Sequence, residues 1–189
     1  MKKVYIRKLT VSAVFLALAT ALSFIKLWTN PWGGSVTLLS MLPIVLLSVM
    51  FGLPWGLFSA FVYALLQIGV DIAGMMSWGM DARLWIAAIV FDYLLAYTVI
   101  GFAGIMRKKG ALGICLGTAA ALALRFVSHF ISGYFFFDIW MPETFTNSAV
   151  YSVVYNGTYM LPELIATVIA VFVLCKTNTV KRLTDMVNK

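Results

Sequence analysis

Hydrophobic residues fall in six long blocks along this chain, at about 9–26, 36–53, 55–73, 84–105, 111–136 and 149–174, with short polar breaks between them. Each block approaches the ~20 residues a helix needs to cross a ~30 Å hydrocarbon core. The pattern therefore predicts an all-α fold: an integral membrane six-helix bundle that forms one domain over residues 1–189. The breaks alternate in kind. Gly52 with Pro54 and Arg107-Lys108-Lys109-Gly110 make tight connections, whereas Asn30-Pro31-Trp32-Gly33-Gly34 and residues 138–147 make longer ones. Residues 1–19 also satisfy the loose pattern of a secretory signal, but the apolar run continues through Phe24 and Ile25, as an uncleaved first helix requires.

Composition narrows the class further. Of 189 residues, 62% are hydrophobic and only 11% charged, and the mean hydropathy is +0.97, which excludes a soluble domain. The net charge of +7 does not point to nucleic acid, because the Lys and Arg residues flank apolar blocks. Lys2, Lys3, Arg7, Lys8, Arg107, Lys108, Lys109, Lys176, Lys181, Arg182 and Lys189 share one side of the predicted bundle, against Lys26 and Arg83 on the other. That asymmetry predicts cytoplasmic termini, an even number of crossings and a multi-pass protein of the bacterial inner (cytoplasmic) membrane. Trp28, Trp32, Trp78, Trp85 and Trp140 then cluster at the outer boundary.

Charged side chains inside apolar runs are costly and mark function by default; Asp92, Arg125, His129 and Glu163 stand out. Arg125, His129 and Gly133 are spaced i, i+4, i+8 on one face of the fifth helix, with Gly133 leaving a notch for a ligand or a helix. Asp92-Tyr93 lies in the fourth helix, and Tyr151, Tyr155, Asn156 and Tyr159 make the outer half of the sixth polar. Arg125 paired with Asp92 or Glu163 would also serve simply to hold the bundle together. As a pocket, an acid, an imidazole, an amide and several aromatic faces suit a flat, cationic heteroaromatic ligand, and the Trp32-Gly33-Gly34 loop is placed to fold over its mouth.

The sequence contains no GxxxxGK[ST] phosphate loop and no HExxH, and its one histidine and isolated Cys115 and Cys175 indicate neither a metal site nor a disulfide; no cofactor is implied. Ser132 and His129 share one helix, unlike the dyad of an intramembrane serine protease, so no catalytic residue is assigned.

Several phrases carry a resemblance: Gly33-Gly34-Ser35-Val36-Thr37 leading to Met41-Leu42-Pro43-Ile44, Asp92-Tyr93, Leu124-Arg125-Phe126-Val127-Ser128-His129-Phe130-Ile131-Ser132-Gly133, and Tyr151-Ser152-Val153-Val154-Tyr155-Asn156-Gly157-Thr158-Tyr159-Met160. Over nearly its whole length the chain resembles the thiamine-specific substrate-binding (S) component of energy-coupling factor (ECF) transporters. The resemblance implies a six-helix protein with no catalysis of its own, which captures thiamine from outside and delivers it when docked on a transmembrane coupling protein with two cytoplasmic ATPases. It implies a docking face on the first helix, matched by Ala13, Ala17 and Ala21.

It also implies site residues: Asp92 as the pyrimidine-binding acid with Tyr93 beside it, His129, Gly133 as a close-approach glycine, Tyr151 with Asn156, and Trp32 as the loop tryptophan. The acid is Glu in some members, so the shorter Asp92 needs a closer ring or an intervening water, and Phe137 stands where some have a second stacking Trp. Arg125, one turn below His129, is expected to brace Asp92 or to meet a phosphate of a phosphorylated ligand. Tyr151 and Asn156 lie about 140° apart on an ideal helix, so both reach one ligand only near the helix end or across a deformation. The rival readings are the same architecture for riboflavin or biotin, a small intramembrane enzyme using Ser132, His129 or Asp92 with Glu163, and a purely structural subunit.

Overall fold

The computed structural model describes residues 2–30 and 34–188. Helix α1 (Lys2–Ser23) leads into an antiparallel hairpin of β1 (Lys26–Thr29) and β2 (Ser35–Thr37), followed by α2 (Leu42–Phe51) and α3 (Leu53–Met76). The next span opens with α4 (Ala82–Ala87), widens into a π-helical stretch, Ala88–Leu95, and ends through α5 (Ala96–Thr98) in a 3₁₀ segment, Val99–Gly104. After the Arg107–Lys109 turn come α6 (Gly110–Phe135), α7 (Ser148–Lys176) and α8 (Thr179–Asn188). Among the described residues, four stretches are long and apolar enough to cross a membrane: Lys3–Ser23, Leu53–Met76, Ala82–Phe135 and Ser148–Lys176. The third is 54 residues long and folds back on itself at the Arg107–Lys109 turn.

The block at 36–53 differs from its expectation. Its first residues complete the hairpin, and the ten residues of α2 rise only ~15 Å, about half of a hydrocarbon core. Pro43 to Met50 are all buried among neighbouring helices. A helix apolar on every side is the signature of burial in protein as much as in lipid, so the pattern did not distinguish the two. The basic tail also differs. It forms an amphipathic helix, α8, that buries Val180 and Val187 in the core and leaves Lys181, Arg182 and Asp185 exposed.

Small residues bring the helices together. The Ser48 hydroxyl donates to the Gly101 carbonyl and accepts from the Gly104 amide at 2.9 Å, so α2 and the 3₁₀ segment touch backbone to backbone. A Cβ added to Gly104 would sit 2.2 Å from the Ser48 carbonyl oxygen, and one at Gly117 would sit 2.4 Å from that of Ala103. With no hydrophobic drive between helices in lipid, such close contact is what membrane helix packing relies on.

The basic segments gather at one end. The Arg107 guanidinium donates to the Val49 and Met50 carbonyls at 3.2 and 2.9 Å, satisfying the open end of α2. Lys8 lies over the Phe51 ring, and Trp55 touches Tyr5 and donates to Ser12. The opposite end holds the hairpin, the Trp78–Trp140 pair and Arg83, which lies over the Phe136 ring. The backbone contact at Gly104 cannot yield. Gly104→Val is expected to lower stability by about 1–3 kcal/mol, read as a reduced Tm in detergent, whereas Gly69→Ala, with nothing within 4 Å of the new Cβ, should leave Tm unchanged.

Candidate functional site

The site begins with one face of α6. Arg125, Ser128, His129, Ser132 and Gly133 follow at spacings of three, one, three and one, and so line up on the side turned to the π-helical stretch and α7. Asp92 lies within the π-helical turn. Its carboxylate meets His129 Nδ1 at 2.9 Å and accepts from the Ser132 hydroxyl at 2.7 Å, while the Ser128 hydroxyl donates to the Phe91 carbonyl at 2.6 Å. A carboxylate at Asp92 can only accept, so its contact with His129 is an Nδ1–H donation, and in the neutral imidazole that tautomer carries its lone pair on Nε2. That Nε2 is buried and has no partner among the described residues.

α7 closes the other side. Asn156 Nδ2 donates to the Ser152 carbonyl at 2.9 Å and to the His129 carbonyl at 3.3 Å, and its Oδ1 accepts from the Tyr159 hydroxyl at 2.7 Å. The Ser152 hydroxyl donates to the Phe130 carbonyl at 2.9 Å. Gly133 permits this approach, since a Cβ there would lie 2.5 Å from Ser152 Oγ. The notch that the sequence left open to a ligand or a helix is therefore met by a helix. Along α7, Tyr151, Tyr155 and Tyr159 form a ladder with ring separations of 5.7 and 5.8 Å, which ends edge-on against His129 at 6.3 Å. Tyr151 reaches the outer end of α7, where it packs on Phe145.

One turn below His129, Arg125 is paired with Glu163 at 3.3 Å and lies 4.8 Å from the Tyr97 ring. Asp92 is not its partner: the Asp92 carboxylate meets His129 and Ser132, one to two turns further along α6. The second oxygen of Glu163 accepts from the Thr37 amide at 2.9 Å and from the Thr37 hydroxyl. The hairpin is seated on α7 at two more points: Asn30 donates to the Thr158 hydroxyl at 2.9 Å, and Gly34, at φ +76°, packs so closely on the Tyr159 ring that a Cβ would come within 2.6 Å.

Asp92, His129, Gly133, Asn156 and Arg125 with Glu163 thus come together. Tyr93 turns aside to donate to Asp71 at 3.1 Å, and Phe137 stacks on Trp140 at the outer end. Trp32 lies outside the described residues. Ala13, Ala17 and Ala21 are exposed along one side of α1. Sequence reasoning passed over Ser128, Ser152 and Asp71. Ser128 was legible as a member of the His129 stripe and Asp71 as a charge within an apolar run; Ser152 acts only through the crossing of α6 and α7. Among the described residues no group of three or more His, Cys, Asp or Glu is arranged to hold a metal ion.

These features define a helical, multi-pass membrane protein with a buried polar site, walled by tyrosines and covered by a hairpin. Residues 9–183 match the family model described as Thiamine transporter protein (Thia_YuaJ). The chain is 31% identical over 179 residues to the Thiamine transporter ThiT of Bacillus subtilis (strain 168), covering 88% of this chain and 84% of that protein. Its fold is similar to a solved structure of ThiT from Listeria monocytogenes, with a TM-score of 0.71 and 21% identity over 91% of this chain and 94% of that one. The chain belongs to the thiamine transporter family, whose members are transport proteins and not enzymes.

The contact between α6 and α7 is testable. Gly133→Ala forces Ser152 Oγ away and should cost about 1 kcal/mol. Combining it with Ser152→Ala should recover most of that loss, a coupling that thermal unfolding of the two single mutants and the double mutant would measure.

Proposed function

We propose that this protein captures thiamine as the S component of an ECF-type importer. The observation that carries the reading is the buried, unpartnered His129 Nε2 beside Asp92 and under the tyrosine ladder, in a chain of the thiamine transporter family. On this reading the aminopyrimidine donates an N–H to His129 Nε2 and sets its edge against Asp92, while the tyrosine faces and Trp32 attract the cationic thiazolium. Asn156 is bonded to the His129 carbonyl and to Tyr159, so it holds those groups in register and offers the second lone pair of Oδ1 to the ligand. Gly133 contributes by letting α7 approach, Tyr151 and Phe137 line the outer approach, and Tyr93 is held by Asp71. Arg125 serves from one turn below, through Glu163.

The protein is read as one domain with six bundle helices, α2 being the short one, and the amphipathic α8 beyond them, in the bacterial cytoplasmic membrane. The gathering of basic segments at one end supports cytoplasmic termini by the positive-inside rule. The partners are a transmembrane coupling protein and two cytoplasmic ATPases, consistent with a sequence that has no phosphate loop. Ala13, Ala17 and Ala21 suit docking because they remain exposed on the least buried of the membrane-length helices.

Titration of purified protein with thiamine, followed by intrinsic tryptophan fluorescence, should saturate at nanomolar to low micromolar concentration, with riboflavin and biotin giving no response. Asp92→Asn and His129→Ala should each raise Kd by about ten- to a hundredfold, the range for a lost charge-assisted hydrogen bond. Unchanged affinity in both would remove the site assignment. Ala17→Leu should spare binding yet reduce ATP-driven uptake in cells, and uptake equal to wild type would count against the docking face.

A further inference from the structure

We propose that Glu163 is a positioning residue of the binding site, tying the hairpin to the bundle through a carboxylate shared between Arg125 and Thr37; this rests on reading the site as the thiamine site. The Glu163 side chain is only 5% exposed, and each oxygen has its own task. Oε2 pairs with Arg125 of α6, while Oε1 accepts both the amide and the hydroxyl of Thr37 at the end of β2. The Thr37 hydroxyl also meets that of Ser40, which is fully buried at the entrance to α2.

Between Thr37 and Ser40, Leu39 adopts φ +58°, a left-handed conformation unfavourable for leucine. Such a residue persists only where its surroundings over-determine it, and the Glu163–Thr37–Ser40 chain supplies that constraint from both sides. The same stretch of α7 carries Thr158 and Tyr159, which receive Asn30 and Gly34. Tyr159 in turn holds Asn156. Loosening Thr37 from Glu163 therefore frees the hairpin at its base and removes its pressure on the Tyr159 ring that faces His129. Glu163 acts on the ligand through the hairpin and not by touching it.

The test uses the full chain in detergent and compares wild type with Glu163→Gln, Thr37→Val and Thr37→Ser. Stopped-flow tryptophan fluorescence gives the rates of thiamine association and release, and backbone hydrogen exchange over 34–40 without ligand reports the hairpin itself. Glu163→Gln and Thr37→Val should speed thiamine release about tenfold and accelerate exchange in the hairpin, while Thr37→Ser, which keeps the hydroxyl, should restore both toward wild type. Because Glu163→Gln strands a buried arginine and can fail to fold, Thr37→Val, which leaves the ion pair and the Thr37 amide bond intact and removes only the charge-assisted hydroxyl bond, decides the matter in that event. Release unchanged in Thr37→Val would overturn the proposal, as would faster release with unaltered hairpin exchange, since the effect would then not pass through the hairpin. If wild type binds no thiamine, the functional reading falls, and the exchange comparison alone upholds or overturns the tether.

Discussion

A polar group held at hydrocarbon depth in a helix bundle must find its partners inside the protein, because lipid offers none. Asp92 and Glu163 are the two residues for which this matters most, and each is answered by α6. Asp92 takes His129 and Ser132, and Glu163 takes Arg125. Since Arg125, His129 and Ser132 lie on one face of α6, satisfying both carboxylates fixes how the π-helical stretch and α7 are turned toward it. At the site both carboxylates are satisfied, while two buried nitrogens, His129 Nε2 and Arg125 Nε, are left without a partner among the described residues.

The π-helical stretch is part of the same solution. A π-helical turn inserts residues into the normal winding and is found most often at functional sites. Here it brings Asp92 to His129 while Tyr93, the next residue, reaches Asp71 on α3, and while the Phe91 carbonyl accepts from Ser128. Three successive residues thus engage partners on two different helices. On α7, the tyrosines at intervals of four form one wall, Tyr151 stacked on Tyr155 and Tyr155 edge-on to Tyr159. Asn156, off that row, still meets Tyr159 and α6, so the large angle from Tyr151 to Asn156 needs no distortion if the two act at different depths.

Much of this is legible in the amino-acid sequence alone. The stripe Arg125–His129–Gly133 and the charge at Asp92 are visible because spacing on a regular helix and cost in lipid are local properties. What was not legible depends on where distant segments meet. Whether Arg125 pairs with Asp92 or Glu163 turns on which carboxylate the crossing of α6 with its neighbours brings within reach. The π-helical winding at 88–95 leaves no mark in an apolar run. The hairpin was hidden because residues 36 and 37 continue an apolar block into α2, and α2 itself reads as a spanning helix because burial in protein demands the same composition as lipid.

The hairpin and α1 illustrate opposite uses of small residues. Gly34, Gly104 and Gly133 are small because something presses on them, respectively a tyrosine ring, a backbone carbonyl and a serine hydroxyl. Ala13, Ala17 and Ala21 are small with an exposed side, on a helix that contributes Ala19 and little else to the fully buried core. Glycines pressed by a neighbour leave no room for a partner, whereas a small-residue stripe left open can accept a partner helix without repacking the interior. On the proposed reading this separates the two tasks of the chain. Capture depends on the carboxylate-centred network beneath the hairpin, and docking depends on a face of α1 that the network does not touch, so the loaded site can be presented to a coupling protein with its hydrogen bonds undisturbed.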